Sequence, residues 1–588
     1  MQIDGYKILE KIGQGGMAQV YKAHQISLKR PVAIKVLTHS FSDKDDFIQR
    51  FEKESLIIAR LSNPFIIPVF ERGFTTKGVP YFIMEYVEGQ ELGNIMGRGQ
   101  LDFNRKLDIT IQICKALSYA HRNNVIHRDI KPANVLIDND GNARILDFGI
   151  AQYYEDDNDK EPTKVGTIMG TMAYMSPEQR QSATTVSFRS DLFSLGVLMY
   201  KLFTHQDPVG RFKAPEELEP EIPTVLSDLI LKCLENSPDD RPSSADEIKD
   251  SLLLLLRGAH LQTEQRERVQ KDFKQFDLLD VIKEDQHSSV MLFENRSSKK
   301  LIVIKKRAAG DAGFAEAKLL TPLKHANIVR ILGTSGNQRN YIIVMEYLNG
   351  GNLQERLVQP MKWREFIPLA QEIAAGMNFA HSHQIIHGNL RPSNILFNNE
   401  GHVKLVDFGL QEHYRNNKQD TNWYRLEKEP DSPSVDIFSA GVIFYQMLVG
   451  MQPALDEDRF QGNITFKKLP LKLKQLITGM LRINPKERIN NFSHVVSELN
   501  AISATESATI VLSQKQVGTI KKKTSAKKLG LVLFILLILL VLTALWFIDL
   551  QELQYFFEDL LFPPEEQEQQ YDFIDLTLNK IVHSLSFV

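Results

Sequence analysis

At 588 residues, with 43% hydrophobic and 24% charged residues, the chain has the make-up of ordinary globular protein and enough apolar material for more than one large core. A formal net charge of −3 gives no basis for nucleic-acid binding. Its two cysteines, Cys114 and Cys233, have no C-x-x-C pattern and no adjacent histidine, which excludes a disulfide framework and a zinc ribbon and leaves buried thiols in a reducing compartment.

The polar N-terminus is expected to enter strands directly, from Tyr6 to Val36, with no signal peptide before them. Gly13-Gln-Gly15-Gly16-Met-Ala18-Gln-Val20 falls in a turn between two of these strands. A glycine-rich hairpin lets backbone N–H groups approach phosphates, although the third glycine of such a loop is here Ala18. Val32-Ala-Ile-Lys35 then puts a lysine on the following strand. Residues 42–61 read as an amphipathic helix, with Ser42 and Asp45 at its start and Phe47, Phe51, Ile58 and Leu61 near helical spacing. Glu54 on that helix is the candidate partner of Lys35, and Glu52 the competitor with poorer spacing. Tyr81 to Val87 is a strand running into a linker.

The next stretch carries the chemistry. His127-Arg128-Asp129-Ile130-Lys131-Pro132-Ala133-Asn134 is followed, thirteen residues on, by Asp147-Phe148-Gly149. Phosphoryl transfer needs a carboxylate to orient the acceptor, a cation beside the moving phosphate and oxygen ligands for magnesium. Asp129 can accept the acceptor's proton and Lys131 can neutralise the γ-phosphate, while Asn134 and Asp147 are oxygen donors for a metal. Arg144 to Asp147 reads as a short buried strand, and Asp138-Asn-Asp-Gly141 as the hairpin turn before it.

This combination resembles the catalytic loop and metal motif of the protein-kinase superfamily. The resemblance covers about residues 5–257 and implies an α+β, bilobal fold with a β-rich N-lobe and a helical C-lobe. It implies ATP as phosphate donor, Mg²⁺ as the metal and Mn²⁺ as its substitute. Gly13, Gly15, Gly16 and Val20 would cover the nucleotide, and Lys35, with Glu54, would hold the α- and β-phosphates. The backbone of Glu85 and Val87 would take the adenine, with Met84 as gatekeeper. The polar run from Tyr153 to Thr171 would be an activation segment. Arg128 would clamp a phosphate placed there, since guanidinium grips phosphate bidentately; Thr163 and Thr167 are the candidate autophosphorylation sites. Thr171 would bond Asp129 and Lys131 and, with Lys131, mark serine/threonine specificity. Glu178 and Arg241 would form a buried ion pair, and Asp191 would brace the catalytic loop. Gly-Gly-Met-Ala and Ser-Pro-Glu-Gln look most like the bacterial, membrane-anchored, Hanks-type serine/threonine kinases.

After a connector over 258–273, charged and helix-prone, the pattern recurs over 274–500. His387-Gly388-Asn389-Leu-Arg391-Pro-Ser-Asn394 and Asp407-Phe408-Gly409 keep the internal spacing of the first copy. Lys305, Glu316 and Val344-Met345-Glu346-Tyr347 repeat the strand lysine, helix glutamate and linker, and Asp436 and Arg488 repeat Asp191 and Arg241. Asn389, however, stands in place of the carboxylate, and an amide cannot accept a proton as a carboxylate does. Gly388 replaces the arginine, and Lys283 to Val290 replaces the glycine-rich loop with no glycine at all. This copy resembles a pseudokinase, which could keep nucleotide binding without transfer.

Residues 501–528 read as a flexible linker ending in Lys521, Lys522, Lys523, Lys527 and Lys528. Leu529 to Ile548 is an uncharged apolar run, long enough at about 1.5 Å per residue to span a bilayer core of about 30 Å. The flanking lysines are expected to keep the kinase side cytoplasmic and to meet anionic lipid, leaving residues 549–588 as a short acidic extracytoplasmic tail. The whole is expected to be a single-pass plasma-membrane serine/threonine kinase that phosphorylates itself and partner proteins and is regulated by the fused pseudokinase. A homodimer is a further expectation by family analogy. The rival expectation is a non-enzymatic membrane scaffold using both folds as docking surfaces.

Overall fold

The computed structural model describes residues 2–14, 18–37, 55, 58–99, 101–148, 172–181, 185–284, 288–308, 318, 320–322, 324–337, 340–408, 424–426, 432–456 and 459–504. Strands β1 (Tyr6–Gln14), β2 (Ala18–Gln25), β3 (Arg30–Leu37), β4 (Val69–Phe74) and β5 (Pro80–Glu85) form an antiparallel sheet in the order β1-β2-β3-β5-β4. The period-two alternation of β3 builds two apolar layers. Val32, Ile34 and Val36 pack with Ala23, Tyr81 and Ile83 on one face. Ala33 and Leu37 pack with Ala18, Phe82 and Met84 on the other. Lys35 lies between Ala33 and Leu37 in sequence, so it emerges on that second face, toward the site.

A small sheet of β6 (Gly89–Glu91), β7 (Val135–Asp138) and β8 (Ala143–Ile145) sits on the helical lobe. The turn between β7 and β8 closes at Gly141, at φ 86°, a left-handed value that suits glycine. The long helix α1 (Phe103–Arg122) starts at Asp102, whose carboxylate accepts from the amide of Arg105 at 2.8 Å. Helix α2 (Phe188–Thr204) starts in a capping box of Ser187 and Ser190. Helices α3 (Thr224–Cys233) and α4 (Ala245–Leu256) complete this lobe. Cys114 and Cys233 are fully buried in its core, and burial raises both thiols, Cys233 to about 12.

Helix α5 (Thr263–Asp272) follows, in the expected connector. Strands β9 (Phe276–Glu284), β10 (Ser288–Asn295), β11 (Leu301–Ala308), β12 (Ile331–Gly336) and β13 (Asn340–Glu346) then repeat the first sheet, with order β9-β10-β11-β13-β12. The register repeats too: Ala33 faces Met84 across β3 and β5, as Val303 faces Met345 across β11 and β13. Val269 and Phe273, at the end of the connector, cover one face of this sheet with Phe293, Ile302 and Ile304. A second helical lobe holds α6 (Leu353–Arg356), α7 (Trp363–Ser382), the pair β14 (Ile395–Phe397) and β15 (Val403–Leu405), α8 (Pro433–Val449) and α9 (Leu471–Met480).

The chain divides into a compact unit over Met1–Ile502 and a remainder over Ser503–Val588. A final helix, α10, runs over 492–504, past residue 501 where a flexible linker is expected to start. Phe492, Val495, Leu499 and Ile502 belong to the second core, which is why the helix continues past 500. The apolar run 529–548, its lysine flank and the tail lie outside the described residues. Among the described residues no helix is long and apolar enough to cross a membrane.

Candidate active site

The site is organised by Asp191, at the start of α2 and fully buried. Its carboxylate accepts the amides of His127 (2.8 Å) and Arg128 (2.7 Å), and pairs with His121 Nε2 at 2.8 Å. Burial alone would raise this carboxyl, but His121 and the other donors hold it below the usual carboxylate range. Two backbone amides anchored on one buried carboxylate fix where the loop turns. Arg128 turns there at φ 68°, a left-handed conformation that is strained for a residue with a side chain. The side chain of Gln179, whose oxygen accepts from the amide and hydroxyl of Ser176, donates to the Arg128 carbonyl at 3.0 Å and holds the turn from the other side.

Asp129 emerges from this turn. Its Oδ2 accepts from Asn134 Nδ2 at 2.9 Å and pairs with Lys131 Nζ at 2.8 Å. Asn134 Nδ2 also donates to the Asp129 carbonyl at 2.7 Å, and its own carbonyl accepts from Leu146 N at 2.9 Å, tying the loop to the strand that delivers Asp147. Asp147 has φ 66° and pairs with Lys35 Nζ at 2.5 Å. His127 Nε2 bonds the Leu146 carbonyl at 2.7 Å and its ring lies edge-on to Phe148, centroids 4.6 Å apart. One carboxylate, two cations and two further oxygen donors thus converge from β3, the loop after α1 and the end of β8. Such a set can orient a hydroxyl at Asp129 and receive a polyphosphate with a hard metal ion at Asn134 and Asp147.

Beside these groups is an apolar slot. Ala33, Met84, Ile67 and Phe82 are buried there, with Val20, Val87 and Leu136 packed against them. Gly13 pairs with Val20 across β1 and β2, and Val20 is one of the residues packed there. The amide of Glu85 donates to the Pro68 carbonyl at 3.1 Å, while its carboxylate pairs with Arg144 from β8. Leu136 escapes sequence reasoning: an alternating leucine in a four-residue strand reads as ordinary core. Gly15, Gly16, Glu52, Glu54, Thr163, Thr167 and Thr171 lie outside the described residues, and so does Glu316. Among the described residues the partner of Lys35 is Asp147.

Glu178 and Arg241 meet as a bidentate pair, at 2.7 and 2.8 Å, with the Arg241 side chain wholly buried. Ser190, in the capping box of α2, donates to the same carboxylate at 2.7 Å. The pair therefore locks the start of α2, and with it Asp191.

The second copy repeats the frame and changes its contents. Asp436 accepts the amides of His387 (2.8 Å) and Gly388 (2.7 Å) and pairs with His381 at 2.8 Å. Gly388 holds the left-handed turn at φ 66°, where Arg128 is strained in the first copy. Lys305 pairs with Asp407 at 2.5 Å, and Asn394 Nδ2 donates to the Asn389 carbonyl at 2.8 Å. Asn389 Oδ1, however, accepts from both Nε (3.0 Å) and Nη2 (2.7 Å) of Arg391, so its acceptor oxygen is already engaged by a guanidinium. Val303 takes the register position of Ala33 but packs, with Leu279 and Leu292, into the first domain's apolar core. His387 is buried with both ring nitrogens unbonded and lies stacked on Phe408, centroids 4.2 Å apart, and burial lowers its pKa. Arg488 donates to the carbonyls of Arg482 and Ser434, both at 2.8 Å.

Comparison with known proteins agrees with this geometry. The protein kinase domain family matches residues 6–253 and again 284–499. A probable serine/threonine-protein kinase of Clostridium acetobutylicum is 37% identical over 262 residues, covering 42% of this chain and 39% of that protein. Serine/threonine-protein kinase PrkC of Bacillus subtilis is 32% identical over 296 residues, covering 48% of this chain and 45% of its own. The crystal structure of the Mycobacterium tuberculosis PknI kinase domain shares 28% identity over 43% of this chain and 96% of that one, with a TM-score of 0.36, too low to carry an argument. The chain spans less than half the length of the curated relatives it matches.

Proposed function

Because the chain belongs to the protein kinase domain family, we propose that its first domain transfers the γ-phosphate of ATP to serine or threonine hydroxyls, its own and those of partner proteins. The observation that carries this reading is Asp129, held at one oxygen by Lys131 and Asn134, with Asn134 bonded to Leu146 beside the Lys35–Asp147 pair. In this reading Asp129 orients the acceptor hydroxyl and takes its proton. Lys131 balances charge on the γ-phosphate, Lys35 holds the α- and β-phosphates, and the slot of Ala33, Val20, Met84 and Leu136 clasps the purine. Asn134 and Asp147, hard oxygen donors, would hold Mg²⁺, which when bound neutralises phosphate charge. Arg128 waits for a phosphate on Thr163 or Thr167, and Thr171 serves acceptor choice.

The second domain, in this reading, is a pseudokinase that regulates the first. Its support is Asn389, whose acceptor oxygen is occupied by Arg391, together with Gly388 in place of the arginine and a loop without glycine. The apolar run 529–548 behind five lysines supports a single membrane span with both domains on the cytoplasmic side.

The test is phosphate transfer by the full-length chain, purified in detergent, from labelled ATP with Mg²⁺ to peptides bearing serine, threonine or tyrosine. Label is expected on serine and threonine peptides and on the chain itself. Label confined to tyrosine, or no label from folded protein, would overturn the reading. For the anchor, the chain is expected to stay with membranes after carbonate washing, and release into the supernatant would refute the span.

A further inference from the structure

The first domain's helical lobe and the second domain's sheet meet through a set of charged groups taken largely out of water. Asp250, on α4, accepts from Tyr347 Oη at 2.8 Å and Asn349 Nδ2 at 2.9 Å. These two residues follow β13, in the segment that matches the purine-binding linker of the first domain. Lys249 pairs with Asp246 at 2.9 Å and Asp250 at 3.5 Å. Lys115, on α1, pairs at 3.0 Å with Asp280 of β9, which His260 also contacts at 3.2 Å. Around them the first domain's apolar core continues without a break into Leu279, Leu292 and Val303 of the second sheet.

Arg122, the last residue of α1, is the hub. Its Nη2 donates to Asp246 at 2.7 Å and to the Asn349 carbonyl at 2.9 Å, and its Nη1 donates to Glu355 on α6 at 2.6 Å. The side chain is 15% exposed. Gly351, at φ 71°, makes room for it: a Cβ there would lie 2.6 Å from both Arg122 Nη1 and Glu355 Oε2. A guanidinium shared among two carboxylates and a carbonyl has little freedom, because loosening one partner leaves charge buried and unbalanced.

The neighbour of Arg122 is His121, which pairs with Asp191, and Asp191 holds the amides of His127 and Arg128 just before Asp129. The same helix turn therefore carries, side by side, a contact to the second domain and the brace of the catalytic loop. In the second domain the residue matching Arg122 is Ser382, whose hydroxyl turns back to the Phe379 carbonyl of its own helix. The anchoring from outside is thus peculiar to the first domain.

We propose that Arg122 is a positioning residue through which the second domain, by Glu355 and the Asn349 carbonyl, fixes the last turn of α1 and so the catalytic loop. The regulation lies in docking and needs no nucleotide in the second domain. It rests on the reading of Asp129 as the residue that orients the acceptor.

The test uses the full-length chain with Glu355→Gln, which keeps the shape and removes the charge, and Gly351→Ala, which pushes the guanidinium out without touching a charge. Neither residue belongs to the catalytic or nucleotide-binding groups. Both variants should lower kcat toward a serine/threonine peptide by about tenfold, with KM for ATP unchanged. Both should also speed amide hydrogen exchange over residues 121–131. Arg122→Lys should retain more kcat than Arg122→Ala, because one cationic contact survives. Faster exchange at 347–355 with exchange over 121–131 and kcat unchanged would overturn the proposal. The exchange readout does not depend on activity. If the wild-type chain proved inactive, the reading of Asp129 would fall, while exchange over 121–131 would still decide whether the dock holds the loop. A general loss of protection throughout the first domain would also contradict it, since that is bulk destabilisation and not positioning.

Discussion

Asp129→Asn is expected to lower kcat by about 10²–10⁴-fold, the usual contribution of a positioned proton acceptor, while leaving the fold in place. The protein itself supplies the reason to expect a folded variant. The second domain carries an asparagine, Asn389, on the same loop, with Asn394 donating to its carbonyl at 2.8 Å as Asn134 donates to that of Asp129 at 2.7 Å. An amide therefore fits the backbone; what it lacks is the basicity. Lys131 would lose its anionic partner in the variant but remain near the surface, at 20% side-chain exposure, so the cost to stability is small. Thermal melting of variant and wild type side by side, with initial rates at saturating ATP, separates lost chemistry from lost structure.

Arg241→Ala is expected to destabilise the first domain by about 3–5 kcal/mol, because removing one partner of a buried ion pair leaves the other uncompensated. The Arg241 side chain is wholly buried, and Glu178 is only 10% exposed. The same guanidinium also satisfies the carbonyls of Arg189 at 2.8 Å and Glu235 at 2.8 Å. Burial pushes the Glu178 carboxyl up, but the hydrogen bonds from Arg241 and Ser190 override it and hold it at about 2, against an ordinary 4.5. A carboxyl depressed in the folded state contributes stability that is fully present above its unfolded value. That contribution is lost as pH falls from 4.5 through 2, and is worth on the order of 3 kcal/mol. Denaturant midpoints between pH 5 and 2 should therefore fall more steeply for the wild type than for Glu178→Gln. The pair locks the start of α2, so Arg241→Ala should also loosen Asp191 and reduce activity before the domain melts.

Much of this site could be read from the sequence because its parts are close in the chain or set by strand alternation. Asp129, Lys131 and Asn134 lie within six residues, and the spacing to Asp147 leaves room only for one short hairpin, which β7 and β8 form. Lys35 could be placed because a strand lysine flanked by Ala33 and Leu37 must share their face. The changes in the second copy were visible as identities, Asn389 for the carboxylate and Gly388 for the arginine. Their consequences were not: that Arg391 would take both lone-pair directions of Asn389, or that Gly388 would relieve a left-handed turn strained at Arg128, depends on three-dimensional placement. The interface between domains was the least legible part. Arg122, Asp250, Tyr347 and Asn349 are commonplace surface-type residues whose contacts span 97 to 227 positions, and no periodicity links a helix end in one domain to a linker in another. Glu54, the expected partner of Lys35, lies outside the described residues; among the described residues Lys35 pairs with Asp147.

The central claim is that the chain has one phosphoryl-transfer site and that it lies in the first domain. Counting phosphates per chain by intact mass tests it most directly, using full-length protein treated with phosphatase and then given ATP and Mg²⁺. Wild type, Asp129→Asn, and Asp129→Asn combined with Asn389→Asp would be compared. Phosphate is expected on the wild type alone: restoring the carboxylate at 389 does not return glycine to residues 283–290. Phosphate on the Asp129→Asn chain would contradict this, and would place a second working site in residues 274–500.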